Sequence, residues 1–291
     1  MKIINRALSN WYQMRGFSLL KRATKADPKR APGFFYASFE CFAAAVSRNP
    51  DNFPARLGWG HALYNQARSQ TPKDQWKSYR SACEQYEQAH WLQPQDLDAL
   101  KFWALSLRGL AQNPREKNPD QCYREACDVF AKAAALKDKS NDCAYHWGLT
   151  LYQHSLKKNP SKALPLLHEA VKRFELAAAR KQNLANVHND WGVALLAMAN
   201  RSDGAEQQDL FEEARKQFLA AEEIKEGFAS YNLACMASLS GEIDTCRRYL
   251  EIAREKLKIP SAGHLENDPD FKNVRTLDWF KELAAKTRED Y

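Results

Sequence analysis

Side chains able to do covalent or metal chemistry are present in the sequence, and their spacing decides what they can do. His168 and Glu169 stand together in LLHEAVKR, but Lys172 occupies the place where a zinc-protease helix needs its second histidine. NDPDFKN begins like a calcium loop and lacks the glycine and distal glutamate that would complete one, which leaves a capped turn leading into LDWFKELAAK. No two of the seven histidines are four apart, and His146 and His154, eight apart, suit a surface or groove role. The seven cysteines are scattered, and Cys122 and Cys127 fit neither a paired metal site nor a redox motif. They read as small packing residues of a reducing compartment. There is no glycine-rich phosphate loop and no nucleophile elbow. The expectation is a protein with no enzymatic activity, cofactor or metal, whose chemistry is recognition.

Charge supplies the first recognition feature. The formal net charge of +7 is concentrated at one end: the first fifty residues hold nine Lys or Arg against Asp27 and Glu40, and the rest of the chain balances. Arg15, Lys21, Arg22, Lys25, Lys29 and Arg30 form a basic end that could dock on nucleic acid, on an anionic membrane surface or on an acidic protein. An acid-poor, arginine-containing start also suits a transit peptide, so organellar import stays open beside the expected cytoplasmic location. No run approaches the roughly 20 apolar residues a bilayer span needs, and charges interrupt the start before a signal-peptide core develops.

The elements that position these groups are written in a repeat. Trp59, Trp103, Trp147 and Trp191 recur at an interval of 44 residues. The following position is small in every copy (Gly16, Gly60, Ala104, Gly148, Gly192), and three further on stands Leu19, Leu63, Leu107, Leu151 or Leu195. Downstream an aromatic with alanine three later recurs as Phe42/Ala45, Tyr86/Ala89, Phe130/Ala133, Phe174/Ala177 and Phe218/Ala221. Ser38, Ala82, Ala126, Ala170 and Ala214 precede each aromatic by four. Small residues on two helices let them approach closely while a ring fills the space beside the contact, so each copy is a helix pair. Gly16 and Leu19 already keep this register, which places the basic end inside the first pair.

This pattern resembles the tetratricopeptide repeat (TPR), most clearly in YNLACMASLSGEIDTCRRYLEIA, where Leu233, Ala234, Gly241, Cys246, Leu250 and Ala253 fall at the spacing of the usual 34-residue unit. The other copies carry about ten extra residues between the small residue of the first helix and the aromatic of the second. Four of these insertions contain proline and the fifth contains Asp203 and Gly204, so each is expected to hold a turn between lengthened helices. The resemblance implies an all-α, right-handed α-solenoid of antiparallel helix pairs, a TPR superhelix. Six pairs are expected at about 9–52, 53–96, 97–140, 141–184, 185–226 and 227–260, with a C-terminal capping helix in 261–291. Phe271, Val274, Leu277, Trp279, Phe280 and Leu283 would cover the last pair.

In the family, first helices line a concave groove that receives an extended peptide or a helix. The matching positions here include His61, Tyr64, Lys101, Arg108, Tyr145, Tyr152 and Asn189, a set suited to a protein segment bringing apolar side chains and a carboxylate. The tyrosines have an alternative role, packing between adjacent first helices. The Lys and Asn set that holds an acidic C-terminus in chaperone-binding members is missing from the matching positions. The expected function is a scaffold or adaptor for protein complexes, with protein favoured over nucleic acid as partner and a homo-oligomer left open.

Overall fold

A computed structural model describes residues 2–136, 142–179, 184–256 and 259–289. The repeat boundary expected at 140/141 and the final two residues of the expected cap lie outside the described residues. Among the described residues α1 (Lys2–Ala23) packs with α2 (Ala31–Arg48), α3 (Phe53–Ser69) with α4 (Pro72–Leu92), α5 (Leu97–Gln112) with α6 (Pro119–Ala135), α9 (Ala185–Ala199) with α10 (Gly204–Ile224), and α11 (Ser230–Leu239) with α12 (Ile243–Glu255), while α7 (Asp142–Ser155) and α8 (Pro160–Ala178) follow one another between the third and fourth of these pairs. α13 (Ala262–Asn267), a 3-10 turn at Pro269–Phe271 and α14 (Asp278–Glu289) complete the chain, and no strand occurs among the described residues. Two compact units divide within α7, at residues 1–150 and 151–291.

Local chemistry sets the helix starts. Pro72, Pro119 and Pro160 open α4, α6 and α8, where the missing N–H costs nothing and the fixed φ suits the first turn. Gly204 takes φ +59° at the start of α10, a left-handed conformation that favours glycine. Asn52, Asp96 and Asn159 cap α3, α5 and α8 by accepting from the backbone N–H of Ala55, Ala99 and Lys162. Most of the extra residues in each copy lengthen helices. Between α3 and α4 only Gln70 and Thr71 remain as a turn.

The repeated columns are the interhelical contact. In the first unit a Cβ built on Gly16 would lie 2.7 Å from the Phe42 ring, and one on Gly60 would lie 2.6 Å from the Tyr86 ring. In the second unit Gly192 stands 2.7 Å from Phe218 by the same measure. In these three pairs the second helix presses a fully buried ring onto the bare backbone of its partner, with the alanine column beside it closed to solvent. The tryptophan column joins successive pairs. Trp59 packs in the cluster of Phe42, Ala45 and Ala62 and also in that of Leu63, Ala82 and Tyr86, and Trp103 packs with Leu63 and Tyr86 as well as with Phe130 and Ala133.

In the second unit, Gly241 at φ +76° ends α11, and Glu242 N–H returns to Ala237 O at 2.8 Å, the six-to-one bond of a Schellman stop. Beyond α12, Asp268 accepts from the Asp270 N–H at 3.0 Å, closing the turn expected there. Phe271, Val274, Phe280 and Leu283 are buried against Cys246, Leu250 and Ala253, with Leu277 and Trp279 partly buried beside them. The paired-helix arrangement in both units is that of an all-α helical-repeat solenoid.

Candidate functional site

Five of the seven expected groove residues lie in the first unit, on α3, α5 and the start of α7; Tyr152 and Asn189 belong to the second unit. Helical spacing aligns them within each helix: His61 and Tyr64 are one turn apart, and Lys101 and Arg108 two turns apart.

Several of them are occupied by the protein itself. His61 Nδ1 and Tyr86 Oη share a hydrogen bond of 2.9 Å, and the imidazole stands edge-on to Phe102 at 4.6 Å between centroids. Burial pulls the His61 pKa below its ordinary value, so it is a neutral packing histidine. Tyr64 meets Phe102 edge-on at 5.3 Å and Tyr79 at 6.0 Å, the packing role between first helices. Lys101 bridges Asp98 at 3.5 Å and Asp142 at 3.2 Å, tying α5 to α7. Burial acts to lower its pKa, but the hydrogen bond and charge of Asp142, with Asp98, raise it overall, so Lys101 stays charged and paired. In the second unit, Asn189 Oδ1 accepts from Asn232 Nδ2 at 2.8 Å and Asn189 Nδ2 donates to Asp190, linking α9 to α11. Tyr152 is half-buried, and burial with the charge of Asp190 raises its pKa.

Arg108 is different. It is half-buried and donates one hydrogen bond, from Nη1 to His146 O at 3.4 Å, and among the described residues it forms no ion pair. Burial lowers its pKa, and the titratable groups acting on it are Tyr64, Tyr145, Tyr123 and Tyr79, with no carboxylate among them. Burial also raises Tyr79 and Tyr123 above the ordinary tyrosine value, so these phenols offer ring faces and hydroxyls but no negative charge at neutral pH. Gly109 admits the Tyr79 ring, which would stand 2.7 Å from a Cβ there. His146 Nε2 faces Asp142 at 3.4 Å, while its Nδ1 is buried without a hydrogen-bond partner. Burial and the positive charge of Arg108 hold the His146 pKa down to about 4.

Tyr79 and Tyr123 are absent from the expected groove set because they lie on the second helices α4 and α6. A signal for them exists: Phe35, Tyr79, Tyr123, Leu167 and Phe211 form a further column at the repeat interval, seven residues before the buried aromatic.

Arg15, Lys21, Arg22, Lys25, Lys29 and Arg30 are all exposed. Arg22 lies 4.3 Å over the Phe34 ring and Arg15 5.3 Å over the Trp11 ring. Lys21, Arg22, Lys25, Arg30 and Phe34 rim a shallow surface hollow.

The cysteines behave as packing residues. Burial pushes Cys122 up to about 11 and Cys246 up to about 12, far from thiolate reactivity at neutral pH. Cys235, Asp268 and Asp270 bring their ligand atoms within 4.8 Å of one another. Asp268 there accepts from Asp270 N–H and from Tyr231 Oη at 2.6 Å, and the Cys235 thiol and Asp270 carboxyl bond to each other, so the group completes its own turn. No helix among the described residues is long and apolar enough to cross a membrane.

No protein-family model matches the sequence, and no curated protein matches it. Among solved structures, the chain is similar to the MamA protein, at 19% identity and a TM-score of 0.53 over 78% of this chain and 96% of that one. It is also similar to YrrB, a TPR protein with an unusual peptide-binding site, at 21% identity and a TM-score of 0.46 over 75% and 92% of the two chains. IFIT1 with m7Gppp-AAAA gives 15% identity and a TM-score of 0.48 over 97% of this chain and 61% of that one. The first of these three likenesses bears on the fold, and it agrees with the repeat columns and their packing. In fold, the chain is an all-α helical-repeat solenoid similar to that of the MamA protein.

Proposed function

We propose that the chain is a protein-interaction scaffold whose first unit receives an acidic residue of a partner segment on the face formed by α3, α5 and the start of α7. The observation that carries this is Arg108, a half-buried guanidinium whose charge is felt by four tyrosines and which, among the described residues, forms no ion pair. Buried charges are ordinarily paired, because the cost of leaving water is otherwise uncompensated. A carboxylate arriving from a partner would supply the missing charge and could accept two parallel N–H bonds from the planar fork, while tyrosine rings cover the neighbouring apolar side chains. The same arrangement explains why Lys101 is a poorer anchor: Asp98 and Asp142 already neutralise it. The partner is an extended or helical segment in which an Asp, a Glu or a terminal carboxylate has apolar neighbours.

The test is selection of short peptides from a random display library on the full chain. Selected peptides should share an acidic position flanked by apolar residues. Arg108→Met, or Glu→Gln at the shared peptide position, should weaken binding by about 1–4 kcal/mol, the range for interface anchors. Selected peptides that lack an acidic position, or that bind the folded Arg108→Met chain as tightly as the original, would refute the assignment.

A further inference from the structure

Helix α1 has two faces of opposite character. Ser9, Gly16 and Ala23 are its buried residues, a stripe of small side chains recurring every seventh position. On the other side, large apolar side chains face water: Ile3 is 86% exposed, Ile4 64%, Met14 63%, Trp11 46% and Leu8 42%. At the helical repeat of 3.6 residues, Ile4, Leu8 and Trp11 share one line with Arg15 and Arg22, and Ile3 and Met14 share the adjacent line with Lys21. The exposed face is therefore apolar over its first half and basic over its second. Lys25, Lys29 and Arg30 continue the charge into the following turn, all exposed. α1 contains no acidic residue. The nearest one in sequence, Asp27, is committed to that turn, accepting from the N–H groups of Lys29 and Arg30 and pairing with Arg30 at 3.6 Å.

We infer that α1 is a membrane-surface helix that lies on a bilayer containing anionic phospholipid. The apolar half would sit at the boundary between headgroups and acyl chains, with Trp11 at the depth where its amphipathic ring is favoured, and the basic half would hold lipid phosphates. Charge complementarity selects this occupant, since exposed Arg15, Lys21 and Arg22 on a helix without acidic residues, continued by Lys25 and Lys29 in the turn, call for an anionic surface. A nucleic acid would answer the charge but offers no apolar volume for Ile3, Ile4, Leu8 and Met14. A second copy placed across the apolar half would bury Ile3, Ile4 and Leu8 and leave the cations without an anionic partner. This surface is separate from the Arg108 site, so either assignment can fail without the other.

The full chain should co-float with phosphatidylcholine vesicles containing about 30 mol% phosphatidylglycerol, and about tenfold less with phosphatidylcholine alone. Two double variants test the two halves: Ile4→Asp with Leu8→Asp, and Lys21→Glu with Arg22→Glu. All four side chains point away from the small-residue stripe, so helicity and melting temperature should hold while each pair lowers flotation about tenfold. Brominated acyl chains should quench part of the tryptophan fluorescence, and Trp11→Phe should remove that part. The inference fails if the original chain stays with the unfloated fraction on anionic vesicles. It fails if Ile4→Asp with Leu8→Asp floats undiminished, which would reduce the contact to adsorption by charge. It also fails if light scattering shows a dimer that this pair dissolves, which would give the face to a second copy.

Discussion

Gly60→Ala adds one methyl group where the repeat allows none. The new Cβ would lie 2.6 Å from Tyr86 Cε1 and 2.8 Å from both Cδ1 and Cζ. Ordinary carbon contact begins near 3.5 Å, so the ring would have to retreat by about 1 Å. It cannot do so freely, because Tyr86 is fully buried, its hydroxyl is held by His61 at 2.9 Å, and Phe102 stacks behind it at 6.1 Å between centroids. Overpacking of this kind costs about 1–3 kcal/mol, against a gain of about 0.5–1 kcal/mol for replacing a helical glycine by alanine. The net loss, on the order of 1–2 kcal/mol, corresponds to a fall of about 2–8 °C in a unit of this size. Gly33→Ala is the matched control: it lies in α2, and a Cβ there meets nothing within 4 Å, so the helix gain should stand alone and raise the melting temperature slightly. Thermal unfolding of both variants followed at 222 nm decides the matter. A Gly60→Ala chain that melts at or above the original temperature would refute the contact between the small-residue column and the buried ring.

Asn52→Ala should cost about 1–2 kcal/mol in urea unfolding, because it removes the cap on α3 and the bond from Asn52 Nδ2 to Ser9 Oγ at 2.9 Å that ties α3 to α1; an unchanged midpoint would argue against the network. His146 has its folded pKa held down to about 4, against 6.5 for the free side chain, by burial and by Arg108 and Lys101, with Asp142 opposing. As pH falls from about 6.5 towards 4, the unfolded chain takes up a proton that the folded chain refuses, so stability present above that window drains away within it, by on the order of 2–3 kcal/mol for this group. His146→Gln should flatten that part of the stability profile measured by urea unfolding between pH 7 and pH 4.5, and an identical slope would remove His146 as its source. Arg108→Met should leave the isolated chain as stable as before or more so, since it removes a desolvated charge with no ionic partner; a melting temperature several degrees lower would mean that the tyrosines already compensate the charge.

The repeat, the helix pairing and the turns are legible in the sequence because they depend on residue size and backbone freedom, which are properties of single positions. Gly60 opposite Tyr86 and Gly192 opposite Phe218 can be read from columns of small and large residues, and Pro72, Pro119 and Pro160 announce helix starts by lacking an N–H. The basic content of residues 1–30 is a matter of counting. What the sequence leaves open is which polar groups find partners. Lys101 and Arg108 occupy equivalent lines of one helix, yet Lys101 is neutralised by Asp142, 41 residues away, while the titratable groups acting on Arg108 are tyrosines drawn from four helices. Asn189 is likewise taken by Asn232 from a neighbouring pair. The exposure of Ile3, Ile4, Leu8, Trp11 and Met14 belongs to the same category, since identical side chains would be core if another helix lay over them. Only the tertiary structure decides these points, because pairing and burial depend on which distant residues the packed helices bring within a few ångströms, and charge and hydrophobicity at one position carry no record of that distance.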